Sequence, residues 1–450
     1  MPRLQFGLSS YERARGDLPA LPVINMFVEK VDSEEGGIAL QSRPGLEETG
    51  DDINQPSVEA IFQKDGVLSG AQFVVGGSQL YRDNSPVGAI DGTGPVSIDG
   101  YEDFVFAAAG GDLWGYDGAD LAVVSFPDDA NVTKVIVGAS RAICIRADTE
   151  TYYWSNPLTS TIDGLSFNSA TSQPDRLRDG LFIDDCLVLF GAETTEFHPN
   201  TQDDTLPFQP LEGRVYEVGI RNTGACTAFG PSFAWVTNHN RVCIGDENTV
   251  VSNEGLEAKI KASTTCRLFA FFIDATEYLG LRIDGETHCY SQRYGFWSQL
   301  TSAGQSNWVP QCYANGVFGS SVDGRLMRFG DGWEDLGGTL ERRFRAGLPL
   351  NSGGLTINNM VLRTNVGTTG YLSGTYADPT VEMRTSRDAG RTFGTWKSRS
   401  LGEQGRYRKK VQWTACGMFG QPGMLAEFRV TDPVDFRVSN ILANEPFGGI

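Results

Sequence analysis

Paired cysteines, clustered histidines, long apolar runs and net positive charge are all missing from this chain. Its eight cysteines (Cys144, Cys186, Cys226, Cys243, Cys266, Cys289, Cys312 and Cys416) include no C-x-x-C pair. Most lie inside short apolar runs, so they read as buried reduced thiols rather than a disulfide framework or a zinc knuckle. The three histidines (His198, His239, His288) stand apart with no HxH or HxxxH spacing, which excludes a recognisable structural zinc site. No apolar run approaches the roughly 18 residues that span a bilayer. The opening MPRLQFGLSSYERARG puts charges where a signal peptide needs an apolar core, so a reducing cytoplasm is the expected place of synthesis. The net charge of −19 argues against a sequence-independent DNA binder, which neutralises phosphates with Lys and Arg. Gly-Gly pairs occur, but none opens a helix or precedes Lys-Ser/Thr, so none is a phosphate loop. No cofactor is called for.

What remains is a chain of short apolar runs punctuated by glycine, 54 of them in 450 residues. Leu181-Phe182-Ile183, then Cys186-Leu187-Val188-Leu189-Phe190, then Glu193-Thr194-Thr195-Glu196-Phe197 are separated by Asp184-Asp185 and Gly191-Ala192. Short runs with two-residue breaks form an antiparallel meander. The middle run, apolar on both faces, is expected to be a central strand, and the Glu/Thr run to be more exposed. Similar units recur at 73–83, 104–118, 142–155, 233–246, 269–291 and 316–333, seven in all with the first. A spacing of roughly 35–45 residues, with about four short strands per unit, is that of β-propeller blades. Turn chemistry agrees at Gly76-Gly77, Gly110-Gly111, Asp148-Thr149, Asn238-His239-Asn240 and Asp323-Gly324. The repeat is degenerate, so six blades plus a closing element stays open beside seven, and no helix beyond two turns is expected here.

Beyond residue 339 the pattern changes to longer alternating strands with polar turns, an antiparallel sandwich of about 100 residues. The expected layout is therefore all-β. An N-terminal arm (1–45) is followed by a six- or seven-bladed propeller (46–338) and a C-terminal sandwich-like platform (339–450). Between Glu382 and Lys410 nine Lys/Arg face three acids, a local charge of +6 against −25 for the rest. Arg406, Arg408, Lys409 and Lys410 surround Tyr407, and Arg342 and Arg343 lie near the domain junction. These six are the candidate assembly interface, set against a plain solvated turn.

Ser386-Arg387-Asp388-Ala389-Gly390-Arg391-Thr392-Phe393 fits the Asp-box pattern S-x-D-x-G-x-T-[WF]. Its physics is local: Ser386 and Asp388 bond hairpin amides, Gly390 takes positive φ, Thr392 closes the turn, and Phe393 is expected to tuck into the core. It is a structural clip, and no second carboxylate or nucleophile is placed for glycoside cleavage. The acidic pairs Asp51-Asp52, Asp128-Asp129, Asp184-Asp185 and Asp203-Asp204 read as turn residues; Asp203-Asp204 lacks the alternating ligands of a calcium loop.

Several of these pieces, taken in order, resemble a known family. Leu21-Pro22-Val23 with Asn25-Met26, then Ser42-Arg43-Pro44-Gly45-Leu46, then Ser172-Gln173-Pro174-Asp175 leading to Leu187-Val188-Leu189-Phe190-Gly191 and Thr194-Thr195-Glu196-Phe197, are similar to the packaged-DNA stabilization proteins of short-tailed phages. The segment Met383–Asp432 resembles their tail ends. The resemblance implies a tail hub or nozzle, a hexameric ring below the portal and its adaptor ring. That ring would retain packaged double-stranded DNA, form the ejection conduit, and carry a tail fibre, tailspike or needle. It also implies a virion protein assembled in the host cytoplasm, with a propeller and a β-rich platform built from both chain ends, the N-terminal arm (1–45) joining the platform. Two other classes fit the sequence: a glycan-binding or sialidase-like propeller that recognises a receptor, and a propeller scaffold of a cellular host. The first of these would need Trp and Arg exposed at one propeller mouth.

Overall fold

The computed structural model describes residues 3–6, 20–30, 37–92, 94–126, 131–171, 175–350 and 353–445. Ser172, Gln173, Pro174, Asp128 and Asp129 lie outside the described residues.

Seven antiparallel sheets follow one another and close into a ring. Blade 1 is Val58–Phe62, Phe73–Gly76, Gln79–Arg82 and Ser85–Ala89; blade 2 is Ser97–Tyr101, Phe104–Ala109, Asp112–Tyr116 and Leu121–Val123. Blade 3 is Val132–Gly138, Arg141–Arg146, Thr151–Ser155 and Ile162–Ser169. Blade 4 is Leu177–Ile183, Cys186–Gly191, Thr195–Pro199 and Val215–Tyr216. Blade 5 has three strands, Cys226–Phe229, Ser232–Val236 and Val242–Ile244. Blade 6 is Cys266–Ile273, Thr276–Ile283, Glu286–Ser291 and Phe296–Leu300. Blade 7 takes Pro310–Ala314, Val317–Ser320 and Leu326–Phe329, and its outer strand is Leu46–Glu48 from the other end of the propeller sequence. That borrowed strand closes the ring, with Met327 opposite Glu48 and Phe329 opposite Leu46.

The turns do what their residues permit. Asp184 and Asp185 take φ of 51° and 57°, a two-residue turn that matches the twist of the flanking strands. Alternation then sends side chains into two different inter-blade cores. Leu187 and Leu189 pack with Ile143 and Trp154 of blade 3, while Val188 and Phe190 pack with Phe233 and Trp235 of blade 5. A central strand buried on both faces is thus filled apolar at every position. Separate cores also fill the gaps between blades 1 and 2, 2 and 3, 6 and 7, and 7 and 1.

Two expectations need correction. Thr195-Glu196-Phe197 is buried, not exposed, because the strand is covered by Val215–Tyr216 and by the loop carrying the fully buried Phe208. Its polar atoms are met inside: His198 Nε2 lies 3.0 Å from Glu196 Oε2, and His198 Nδ1 lies 2.9 Å from the Tyr152 hydroxyl. The second is a nine-residue helix, Glu254–Ala262, between blades 5 and 6. Asn253 caps it by accepting from Leu256 N, and Leu256 and Ile260, four apart, bury one face.

The sandwich has two sheets around one core. One holds Met26–Lys30, Ile38–Ser42, Arg437–Ala443, Leu355–Thr364 and Val411–Phe419. The other runs Val23–Ile24, Arg342–Pro349, Gly423–Val430, Thr380–Ser386, Lys397–Ser400, with Gln5–Phe6 pairing Ala346 and Gly347. This second sheet does not stop at the domain edge. Ile24 pairs in parallel with Gln299, the last strand of blade 6, so blade 6 and the sandwich sheet form one ten-stranded sheet.

Candidate assembly interface

The junction is built around Asn25, which changes the chain from one sandwich sheet to the other at φ 54°. Its side chain ties three segments: Nδ2 donates to Thr301 Oγ1 (2.7 Å) and to Glu341 O (2.8 Å), while Oδ1 accepts from Thr301 N (2.9 Å) and Arg43 Nε (3.1 Å). Arg43 is fully buried and donates to Pro44 O, Thr301 O and Asp335 Oδ1. Asp335 is buried too, and accepts from Leu46 N and Ala303 N. Gly45 allows this approach: a Cβ there would stand 1.8 Å from Glu334 O. A buried charge is tolerated when every donor and acceptor is met, which this node achieves. Motif residues Asn25, Arg43 and Gly45 are thus hinge pins of the propeller–platform joint. Their partners Thr301 and Asp335 carried no signal of their own in the sequence; the one available hint was a charged Arg43 enclosed by strand residues.

The six candidate interface residues separate into three environments. Arg342 is fully buried, donating to Trp333 O (2.7 Å) and Asp432 O (2.9 Å), and burial lowers its guanidinium to about 10. It is a strut of the joint and is withdrawn from any exposed surface. Arg343 is half-exposed and paired with Glu341 at 3.3 Å. Arg406, Tyr407 and Arg408 form an exposed tip on the turn after Lys397–Ser400. Arg406 reaches only Glu403, three residues back at 3.1 Å, and Arg408 has no partner among the described residues. Lys409 reaches Ser400 Oγ and lies 3.9 Å from Asp378, and Lys410 pairs with Glu445 at 2.6 Å. The structure therefore brings four of the six onto one turn, with the free charge concentrated on Arg406 and Arg408.

The Asp-box residues close a clip of hydrogen bonds. Ser386 Oγ donates to Asp388 Oδ1 (2.6 Å) and accepts from Gly390 N (2.9 Å). Thr392 N and Oγ1 both donate to the Asp388 carboxylate, at 2.9 and 2.6 Å. These bonds hold the Asp388 carboxyl well below the usual carboxylate range, and Gly390 takes φ 85°. Phe393 departs from expectation: it is half-buried and stacked with the guanidinium groups of Arg345 and Arg384 rather than tucked into the core.

Of the described acidic pairs, Asp184-Asp185 forms the blade 4 turn, Asp203 Oδ1 accepts from Thr205 N and Leu206 N in its own turn, and Asp52 Oδ1 accepts from Leu326 N of blade 7. Among the described residues no group of three His, Cys, Asp or Glu could hold a metal ion, and no helix is long and apolar enough to cross a membrane. All eight cysteines are free; seven are buried, and burial pushes Cys243 and Cys266 up to about 12. Five of the eight tryptophans are buried, and Trp114, Trp333 and Trp396 are partly buried. Between the inner strands lies a cavity of about 430 Å³ lined by residues such as Glu59, Lys134, Arg267 and Gln311.

Sequence reasoning also missed the carboxylates that stitch blades together. Asp179 accepts from Gly224 N at 2.6 Å and pairs with Lys134 at 3.0 Å, linking blades 3, 4 and 5. Asp99 accepts from Val137 N at 2.8 Å and joins blade 2 to blade 3. Each stands in an Asp-Gly step, Asp99-Gly100 and Asp179-Gly180, which looks like a hairpin turn in sequence and hid both.

Comparison with known proteins gives the same two-part division. A model described as "Bacteriophage P22 Gp10, beta-propeller" matches residues 4–263, and one described as "Bacteriophage P22 Gp10, beta-sandwich" matches 342–444. The tail hub protein gp10 of Salmonella phage P22 is 26% identical over 209 residues, 41% of this chain and 44% of that protein. The matched stretch is thus less than half of that relative. Among solved structures, the AfRom2 CNH domain superposes with a TM-score of 0.40 at 11% identity, covering 64% of this chain and 99% of that domain. With more than half of its length matched by the propeller model, and the sandwich model matching the remainder's larger part, this chain belongs to the bacteriophage P22 Gp10 family.

Proposed function

We propose that this chain is a passive structural part of a phage tail: a hub or nozzle, six copies forming a ring below the portal and its adaptor ring. The ring closes the head, retains packaged DNA and becomes the conduit for ejection, with a tail fibre, tailspike or needle attached to it. The observation that carries this reading is the continuity of the ten-stranded sheet through Ile24 and Gln299, reinforced by the buried Asn25–Arg43–Asp335 node. A propeller and a platform welded in this way move as one body, as a part that bears the pressure of a packaged genome must. Ordinary interdomain contacts are looser.

Size and charge set where the genome would run. The cavity of about 430 Å³ among the inner strands is far too small for duplex DNA, so the lumen lies between copies. Six copies at −19 each carry a large excess of negative charge, which repels phosphate and lets duplex slide without sticking. The exposed tip at Arg406 and Arg408, with Lys409 and Lys410 beside it, is then the docking surface for a negatively charged adaptor face, and Arg343 is a separate half-exposed cation near the domain junction. Nothing in this role requires a cofactor or a reaction. The test is capture on purified portal–adaptor rings of the same phage. The full chain is retained at physiological salt, and the variant with Arg406, Arg408, Lys409 and Lys410 changed to Glu is not, although it melts like the parent. Retention of that variant would remove the tip from the interface.

A further inference from the structure

The Asp-box hairpin is rigid, exposed and unused by the hub reading, yet it forms one wall of a cleft. Between it and the strand Lys397–Ser400 lies a cavity of about 410 Å³. Its rim carries Arg384, Arg387 and Lys397, and its base is apolar, from Met383, Phe393 and Cys416. No carboxylate is among the residues that line it. Asp388, the acid on the hairpin itself, spends its oxygens on Ser386 and Thr392. Among the described residues neither Arg387 nor Lys397 has a carboxylate at ion-pair distance.

The cations are also held in place. Arg384 Nε donates to the buried Glu427 at 2.5 Å, and Arg345 Nε shares the same carboxylate at 2.8 Å, so two guanidiniums are balanced by one acid. Arg384 stacks 4.7 Å from the Phe393 centroid and 4.3 Å from that of Trp396. Arg345 covers Phe393 at 4.8 Å, and Arg429 covers Trp396 at 4.2 Å. Arg387 lies 5.5 Å from the Phe419 ring. Stacked guanidiniums lose little freedom when an oxyanion arrives, which raises affinity for planar, two-oxygen acceptors.

Arg384 held on Glu427, Arg387 and Lys397 with no carboxylate beside them, and the apolar base together define a receptor, and we infer that this cleft binds the carboxylate side chains of an acidic protein segment. Three features select that ligand. Phe393 and Trp396 each already carry two guanidiniums within 4.8 Å of the ring centroid, so a sugar would compete with a cation for either ring. The apolar base suits the methylenes of a Glu side chain and has nothing to offer a phosphodiester. The rest of the chain, at −25 outside residues 382–410, repels an extended polyanion such as duplex DNA but tolerates a short acidic loop seated in a local +6 field. The inference stands whether or not the chain is a tail hub.

The experiment is fluorescence polarisation of labelled hexaglutamate titrated with the full chain at low salt. Binding saturates, weakens with added salt, and falls by at least about tenfold in Arg387→Glu/Lys397→Glu, as truncating complementary charges does. Arg176→Glu, an exposed cation at the start of propeller blade 4, leaves it unchanged. Should the double reversal melt early, Arg387→Gln/Lys397→Gln reads the same loss without adding charge. Absence of saturable binding, parent-like binding by both double variants, or a short DNA duplex competing as well as hexaglutamate at the same residues would each overturn the assignment.

Discussion

Arg43 and Asp335 stand 292 positions apart in the chain and meet at 3.1 Å with neither side chain exposed to solvent. That pair sits where the N-terminal arm leaves the sandwich to become the last strand of blade 7, and it locks both ends of the propeller to the platform. Removing one partner leaves a buried charge alone. Arg43→Met should lower unfolding stability by about 3–5 kcal/mol, and Arg43→Met/Asp335→Leu by clearly less, because the double change leaves no orphan. Urea unfolding of the four proteins of the cycle checks this; equal losses in single and double variants would refute it.

Gly45 tests the same joint by shape alone. Gly45→Ala drives a methyl into Glu334 O, so the loss should reach the upper end of the about 1–3 kcal/mol typical of overpacking. Gly332→Ala, where a Cβ meets nothing within 4 Å, should change little. Thermal melts of the two variants side by side make the comparison.

Much of the fold was legible because it obeys local rules. The seven units read from turn residues correspond to the seven blades, and the all-apolar Cys186–Phe190 run is a strand buried on both faces. What stayed hidden depends on neighbours distant in sequence. Glu196 and His198 look like surface residues until Tyr152 of blade 3 is placed beside them. Arg342 looks like an interface arginine until the carbonyls of Trp333 and Asp432 close over it. The helix Glu254–Ala262 was missed because its two buried residues, Leu256 and Ile260, make too small an apolar stripe to stand out in a β-rich chain.

Glu286 should give the joint between that helix and blade 6 a pH dependence. His288 Nε2, 3.5 Å from Glu286, and then Lys259 at 2.6 Å hold its carboxyl down to about 2. Since the folded value lies below the ordinary one, this stabilisation is present above about pH 4.5 and is lost as pH falls from there toward 2. Glu286→Gln should therefore melt earlier than the parent at neutral pH, by an amount worth about 1 kcal/mol or less for a half-exposed pair. The two should converge as the pH approaches 2. Melting curves across that window decide it; a constant difference would contradict the pairing.

The hairpin clip should respond to one atom. Asp388→Asn halves the acceptor capacity that Thr392 N and Thr392 Oγ1 use, so hydrogen exchange at Gly390 and Thr392 should quicken while exchange in the propeller stays unchanged. In the parent, the carboxyl is held below its usual range, so protection is full at neutral pH and fades only in strong acid. Unchanged exchange in the variant would mean the backbone, not the carboxylate, holds the turn.

The central claim is that this two-part chain is a ring-forming tail hub, and mass photometry addresses it most directly. The purified protein is weighed alone and after mixing with the portal–adaptor complex of its phage. Six added copies on each complex is the predicted result. A complex whose mass does not change, with the protein remaining free, would contradict it.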